Sequence, residues 1–362
     1  MEHRRGLIFM LFLMFWFFGF MLLVSFVLYN TALQPATNKV LIAWGIDVVA
    51  VVSSPWFIIF RQLFVLLLPL GIWLGIHKEK INPHLPHMRL GNTNIVYIIA
   101  LSLLLQPAMM AVSGITSIFF PNEIGEMVLS LTDYPYLLLI LAIAVTPAIC
   151  EEVVFRGYIQ STYKNKAFWT MALINGLLFA IMHLNPQQFP YAFIMGIIFA
   201  YMVHATRSIR AGVIAHFVMN ASQITLMYFF SLMVEREDIS AEITTTSGYT
   251  ASAGAVPSQI EMIVTFTILG IIALAVTVLA AYVFRLFVLH NRKRVMAYEQ
   301  KIKAAMDALE LHITPDTPET TEIETPEEIP QSTLPKWANI TIDVALVLAI
   351  VALYVNFIFV IR

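Results

Sequence analysis

Long apolar stretches recur along the chain, separated by short polar connections. A helix rising 1.5 Å per residue needs about 20 apolar residues to cross a hydrocarbon core. Stretches of about that length fall at 7–29, 55–76, 93–112, 136–156, 167–184, 189–205, 211–233, 259–288 and 340–361. They predict an all-α fold, a polytopic transmembrane helical bundle of about 8–9 spans. Residues 40–53 are also apolar but are broken by Asp47 and stopped by Ser53-Ser54-Pro55. That stretch reads as an interfacial or re-entrant helix, or as an extension of the second span. Residues 115–131, with Glu123 and Glu126, read as an amphipathic surface segment.

Composition agrees with this pattern. Of 362 residues, 59% are hydrophobic and 12% charged, and the mean hydropathy is +0.79. An average soluble chain carries about 25% charged residues, so this chain is half as charged. The lone Cys150 excludes an internal disulfide and a cysteine-based metal cluster. The first apolar run follows Glu2-His3-Arg4-Arg5, is too long for a signal-peptide core and lacks a small-residue cleavage site. It is read as a retained span.

The net charge of −2 matters less than where the charges stand. Alternate connections hold Lys78, Lys80 and Arg89, then Lys164 and Lys166, Arg207 and Arg210, and a basic group from Arg292 to Lys303. The intervening connections hold only Lys39 and Arg236, with Arg362 at the C-terminus. The positive-inside rule therefore puts the N-terminus in the cytoplasm. Arg61, early in the second span, counts mildly against that orientation.

The expected organisation is an N-terminal helical region over 1–89, a core over 90–233, an outer loop over 234–258 and a helix over 259–290. A cytoplasmic amphipathic segment and acidic linker follow over 291–339, and a C-terminal helix over 340–362. The loop is rich in Ser, Thr and Gly. Residues 291–312 carry basic and apolar residues at helical spacing, as a helix near anionic lipid does. The Thr/Pro/Glu-rich run 314–335 cannot bury a core and is expected to be disordered. No internal repeat is present.

Against this background a few polar residues stand out. Ionisable groups at membrane depth are costly and mark functional sites by default. Glu151, Glu152 and Arg156 end the apolar run that begins at Tyr136. Helical spacing lets Glu152 pair with Arg156 while Glu151 points about 100° away, unpaired. A carboxylate so placed suits a general base for water; equally, the three charges could simply end the span at the interface. His183 lies four residues after Phe179, with Asn175 one turn earlier, and alone reads as readily as an interhelix hydrogen bond. His216 and Asn220 share a helical face, suited to oxyanion donation or substrate-backbone recognition, or merely to holding helices together.

With a hairpin turn at Asn165, Glu151 lies 14 residues before its centre and His183 lies 18 after, at similar heights. His216 is 6 residues past Arg210, roughly 9 Å into the bilayer. The levels match only if the hairpin tip at 157–166 projects well beyond the membrane. There is no His-Glu-x-x-His, no Gly-x-Ser-Gly and no Gly-x-Gly-Asp. A zinc site built from Glu151, His183 and His216 ranks below metal-free catalysis, because Asn220 is a poor zinc ligand and a good oxyanion donor. Cys150 reads as a packing residue rather than a nucleophile.

Together, Glu151-Glu152-x-x-x-Arg156-Gly157, Phe179-x-x-x-His183 and His216-x-x-x-Asn220 resemble the CPBP family, the CAAX protease and bacteriocin-processing (Abi) group. Its eukaryotic members are type II CAAX prenyl endopeptidases. The resemblance covers roughly 90–233 and leaves out the acidic linker and last span. It implies intramembrane endoproteolysis by a glutamate-dependent, metal-free mechanism without a cofactor. Glu151 would activate water with help from His183, His216 and Asn220 would stabilise the oxyanion, and Glu152 with Arg156 would orient the site. The implied partners are a membrane-associated peptide or protein substrate and the bilayer, with no nucleic acid and the oligomeric state open. The implied setting is a bacterial plasma membrane. A non-catalytic scaffold or bacteriocin-immunity protein using the same cavity is the alternative; a transporter is disfavoured because no paired broken helices occur in two matching halves.

Overall fold

A computed structural model describes residues 2–33, 47–164, 166–246, 271–272 and 274–293, with isolated positions 296–297, 300 and 304. Most of these residues are helical, and no strand occurs among them. In chain order the helices are α1 (Glu2–Leu33), α2 (Pro55–Ile76), α3 (Asn92–Ser117), α4 (Glu123–Leu129), α5 (Tyr136–Ile159), α6 (Phe168–Met182), α7 (Phe189–Thr206), α8 (Ile209–Thr246) and α9 (Leu274–Lys293). Seven of them are long and apolar enough to cross a membrane; α6, at 15 residues, is shorter. At 1.5 Å per residue α6 is roughly 22 Å long, less than the hydrocarbon thickness. The chain is an integral membrane protein.

Three expectations change in detail. The 40–53 stretch does not extend the second span. Val48–Val52 forms a single turn capped by Asp47, and α2 starts afresh at Pro55 under a Ser54 cap. Pro55 suits the first helical position because its missing N–H would be unpaired there anyway. The third span runs on to Ser117, and only Glu123–Leu129, capped by Asn122, forms a separate short helix. The outer loop expected from 234 is helical to Thr246, because Glu235, Arg236, Glu237, Ala241 and Glu242 are good helix formers. Most of 291–312, and all of 314–335 and 340–361, lie outside the described residues.

Lipid tails are as apolar as leucine, so packing contacts and polar bonds between helices hold such a bundle together. One buried cluster joins α1, α2, α5, α6 and α7 around Phe9, Leu13, Trp73, Phe155, Tyr158 and Phe179. A second joins α3, α7, α8 and α9 around Ile98, Phe199, Met219 and Phe287. Gly176 and Gly196 set the α6–α7 crossing: a Cβ on Gly196 would lie 2.6 Å from the Gly176 Cα. Some buried polar atoms pair across helices, as in Trp73 Nε1 donating to the Tyr158 hydroxyl at 2.5 Å and Asn291 to Asn94 at 2.9 Å.

The hairpin after α5 does not stand free. Thr162 and Tyr163 are buried, and Gly6 of α1 packs so closely on Thr162 that a Cβ there would overlap the hydroxyl. At this end of the bundle Arg5 pairs with Glu79 at 2.5 Å, and His84 bonds Ser161 at 2.6 Å.

Candidate active site

Helix α5 is not a uniform α-helix. Its turns widen to the i to i+5 pattern over Ile140–Val145 and again over Val153–Ile159, with one ordinary stretch, Thr146–Glu152, between them. Such wide turns inside helices concentrate at functional sites. Pro147 gives the first a local cause, since it cannot donate to the Ile143 carbonyl. Asn220 of α8 donates there instead, from Nδ2 at 2.9 Å. At the second wide turn Asn175 of α6 donates to the Phe155 carbonyl at 2.6 Å. Two carboxamides from neighbouring helices thus pin the wide turns on either side of Glu151 and Glu152.

The adjacent glutamates take different surroundings. Glu152 is fully buried, and its Oε1 accepts from Arg156 Nη1 at 2.8 Å and from His216 Nδ1 at 3.0 Å. Arg156, also buried, donates from Nη2 to the Gly196 carbonyl at 3.2 Å. Its guanidinium lies 4.3 Å from the Phe179 ring centre and 5.2 Å from that of Phe199. Breaking a buried ion pair by removing one member costs about 3–5 kcal/mol, whereas these charges are matched and hydrogen-bonded. Gly212 of α8 makes room: a Cβ there would run into Glu152 Oε2.

Glu151 lies one layer out. Its Oε1 accepts from Gln62 Nε2 of α2 at 3.0 Å. Its Oε2 is buried without a hydrogen-bond partner, 3.9 Å from His216 Nε2. Because Nδ1 of His216 faces a carboxylate that only accepts, that nitrogen carries hydrogen and Nε2 is turned to the Glu151 side.

His183 closes α6. The chain turns left-handed at Leu184, with φ 50°, so the helix stops immediately after the imidazole. His183 Nδ1 lies 2.8 Å from the Phe179 carbonyl. A carbonyl accepts only, so Nδ1–H donates and Nε2 is left for the site. His183 interacts electrostatically with both Glu151 and His216. Its ring meets Phe179 edge to face at 4.8 Å, and His216 meets the same ring at 5.9 Å. Beyond Leu184, Asn185 bonds Glu123 at 3.2 Å and Gln187 bonds Ser113 at 2.7 Å, tying the loop to α4 and α3.

The six residues singled out in the sequence thus fall on α5, α6 and α8, with Arg156, His183 and His216 set against Phe179. Glu152, Arg156 and His216 form a buried inner layer; Glu151, His183 and Asn220 lie on its open side. One N–H of the Asn220 carboxamide serves a backbone carbonyl. Gln62, Gly196, Phe199 and Gly212 escaped the sequence reading. Among them only Gln62 carries a local signal, as a polar residue inside the apolar run 55–76. Among the described residues no three His, Cys, Asp or Glu side chains gather at a spacing that would hold a metal ion. Cys150 is buried.

Residues 133–222, about a quarter of the chain, match the family model for type II CAAX prenyl endopeptidases, Rce1-like. The segment contains all six gathered residues. No curated protein and no solved structure matches the chain. At the level of the family, the match supports CAAX-type intramembrane proteolysis.

Proposed function

We propose that this CAAX-type membrane protease hydrolyses a peptide bond in a membrane-anchored peptide or protein, with Glu151 as general base for water. The observation that carries the reading is the contrast between two neighbouring carboxylates. Glu152 Oε1 is held by Arg156 and His216, whereas Glu151 Oε1 is held by the neutral Gln62 carboxamide and its unpartnered Oε2 lies 3.9 Å from His216 Nε2. In the proposed reaction Glu151 takes a proton from water as the oxygen attacks the substrate carbonyl carbon. His183, through Nε2, holds the water. The tetrahedral oxyanion accepts from His216 and from the second N–H of Asn220. The C–N bond then breaks as Glu151 returns its proton to the leaving nitrogen. General-base assistance and oxyanion donation are each worth about 10²-fold or more in rate.

A metal-free version of this chemistry is preferred, because Glu152 and Nδ1 of His216 are already committed to each other and to Arg156. The basic connections favour a site near the cytoplasmic leaflet, with the N-terminus on that side. The test uses purified protein in detergent and a panel of fluorogenic lipopeptides, including one that ends in a prenylated CAAX sequence. Wild type is expected to cleave at least one. Glu151→Gln and His183→Ala are expected to abolish cleavage while melting as wild type does. Full activity in Glu151→Gln would remove the mechanism and favour the non-catalytic scaffold.

A further inference from the structure

Helix α2 lies outside the segment that matches the family model, yet it reaches the reactive carboxylate. Gln62 Nε2 donates to Glu151 Oε1 across 89 residues of sequence. Arg61, its neighbour, interacts electrostatically with the same carboxylate. The contact is built rather than incidental. Gln62 is half-buried, the Ser54 cap and Pro55 fix where α2 begins, and the helix widens over Leu63–Leu67 immediately after Gln62. Trp16 Nε1 donates to the Phe64 carbonyl at 3.0 Å, so α1 braces that wide turn from behind. A carboxamide held on one carboxylate oxygen also makes the two oxygens unequal. Oε1 is occupied, and Oε2 is the one turned towards His216.

We infer that Gln62 is a positioning residue for Glu151: it locks the carboxylate rotamer so that Oε2 alone meets the attacking water. The N-terminal helix pair is then part of the catalytic apparatus rather than a membrane anchor. The inference rests on the reading of Glu151 as the base. A bond that only orients a base acts on the chemical step, so its loss lowers kcat and leaves the binding of substrate alone. Misplacement of a reacting group by about 1 Å costs on the order of 10²-fold.

The experiment measures kcat and KM for Gln62→Met, which keeps the length and loses the donor, and for the isosteric Gln62→Glu, which replaces the donor with an acceptor. The substrate is the lipopeptide that wild type cleaves fastest, and thermal unfolding in detergent is recorded for each protein. Both variants are expected to lose about 10- to 100-fold in kcat with KM within about twofold of wild type. In the Glu151→Gln background, Gln62→Met is expected to leave lipopeptide affinity unchanged. The inference is overturned by wild-type kcat in either folded variant, by a change confined to KM, or by both variants melting far below wild type, which would make Gln62 a packing residue. Activity retained in Glu151→Gln would instead sink the underlying mechanism, and the two failures are told apart in one set of proteins.

Discussion

His216 donates from Nδ1 to Glu152 Oε1 at 3.0 Å, joining residues 64 apart in sequence. That bond divides the labour between the two glutamates. The inner acid holds an arginine and a histidine in place, and the outer acid is left for chemistry. Losing each should therefore look different. Glu152→Gln is expected to abolish cleavage and also to lower stability by about 3–5 kcal/mol, because Arg156 would be left buried without its counter-charge. Glu151→Gln should abolish cleavage with little change in the melting temperature. Thermal unfolding in detergent beside a cleavage assay separates the two.

Arg156→Lys is expected to behave as a disruptive change. The guanidinium serves Glu152 and the Gly196 carbonyl from two nitrogens while lying against Phe179 and Phe199. An ammonium cannot reproduce that planar fork. The expected loss is about 1–3 kcal/mol in stability and at least about tenfold in kcat. Wild-type kinetics in the lysine variant would show that the fork is not needed.

Gly212→Ala tests the space beside Glu152. The added methyl would overlap Oε2, and the neighbouring Val203 lies 3.0 Å from the same Cβ position. Overpacking a tight interior costs about 1–3 kcal/mol. The carboxylate must shift away from His216, so kcat is expected to fall further than the stability loss alone explains. An unchanged rate in a folded variant would mean that the inner layer yields without consequence.

Asn175→Ala and Asn220→Ala remove the donors that hold the wide turns of α5. Each removes one hydrogen bond to a backbone carbonyl, worth about 0.5–1.5 kcal/mol, and the Phe155 carbonyl keeps the Gln160 N–H. Hydrogen exchange is expected to speed up locally, around 153–159 for Asn175→Ala and around 140–147 for Asn220→Ala. Cleavage should fall more in Asn220→Ala, which also removes the second oxyanion donor. Equal rate losses would reduce Asn220 to a structural tie.

Treatment with a strong chelator is expected to leave the cleavage rate within about twofold, since the proposed route uses no metal-bound water. Loss of activity that zinc restores would replace the glutamate base with a metal-activated water.

Much of this arrangement was legible because it is local. The four-residue spacing of Glu152 and Arg156 is a property of one helix, and the apolar run lengths announce the spans. The hairpin heights put Glu151 and His183 at similar levels, and the end of that hairpin packs on Gly6 of α1 through Thr162 and Tyr163. What escaped notice comes from elsewhere in the chain or from empty space. Gln62 reaches Glu151 from a helix far upstream, and Gly212 matters through the atoms it lacks. The direction of the Asn220 carboxamide could not be read from its helical face. Its partner is a carbonyl set free by Pro147 on another helix, and only the tertiary fold brings the two together.

The two wide turns of α5 bear on how the segment tolerates change in length. Each such turn amounts to an α-helix with one residue added, held open by a partner outside the helix. Deleting a single residue from 140–145 would let that turn rewind to ordinary pitch. The rewound turn would cover the same rotation with one residue fewer, so Glu151 and Glu152 would keep their helix face. The same deletion in the ordinary stretch just before the two acids would instead swing both by about 100° about the helix axis, away from their histidines, with every side chain of the site still present. The wide turn is the place where the helix can lose a residue without turning its site away.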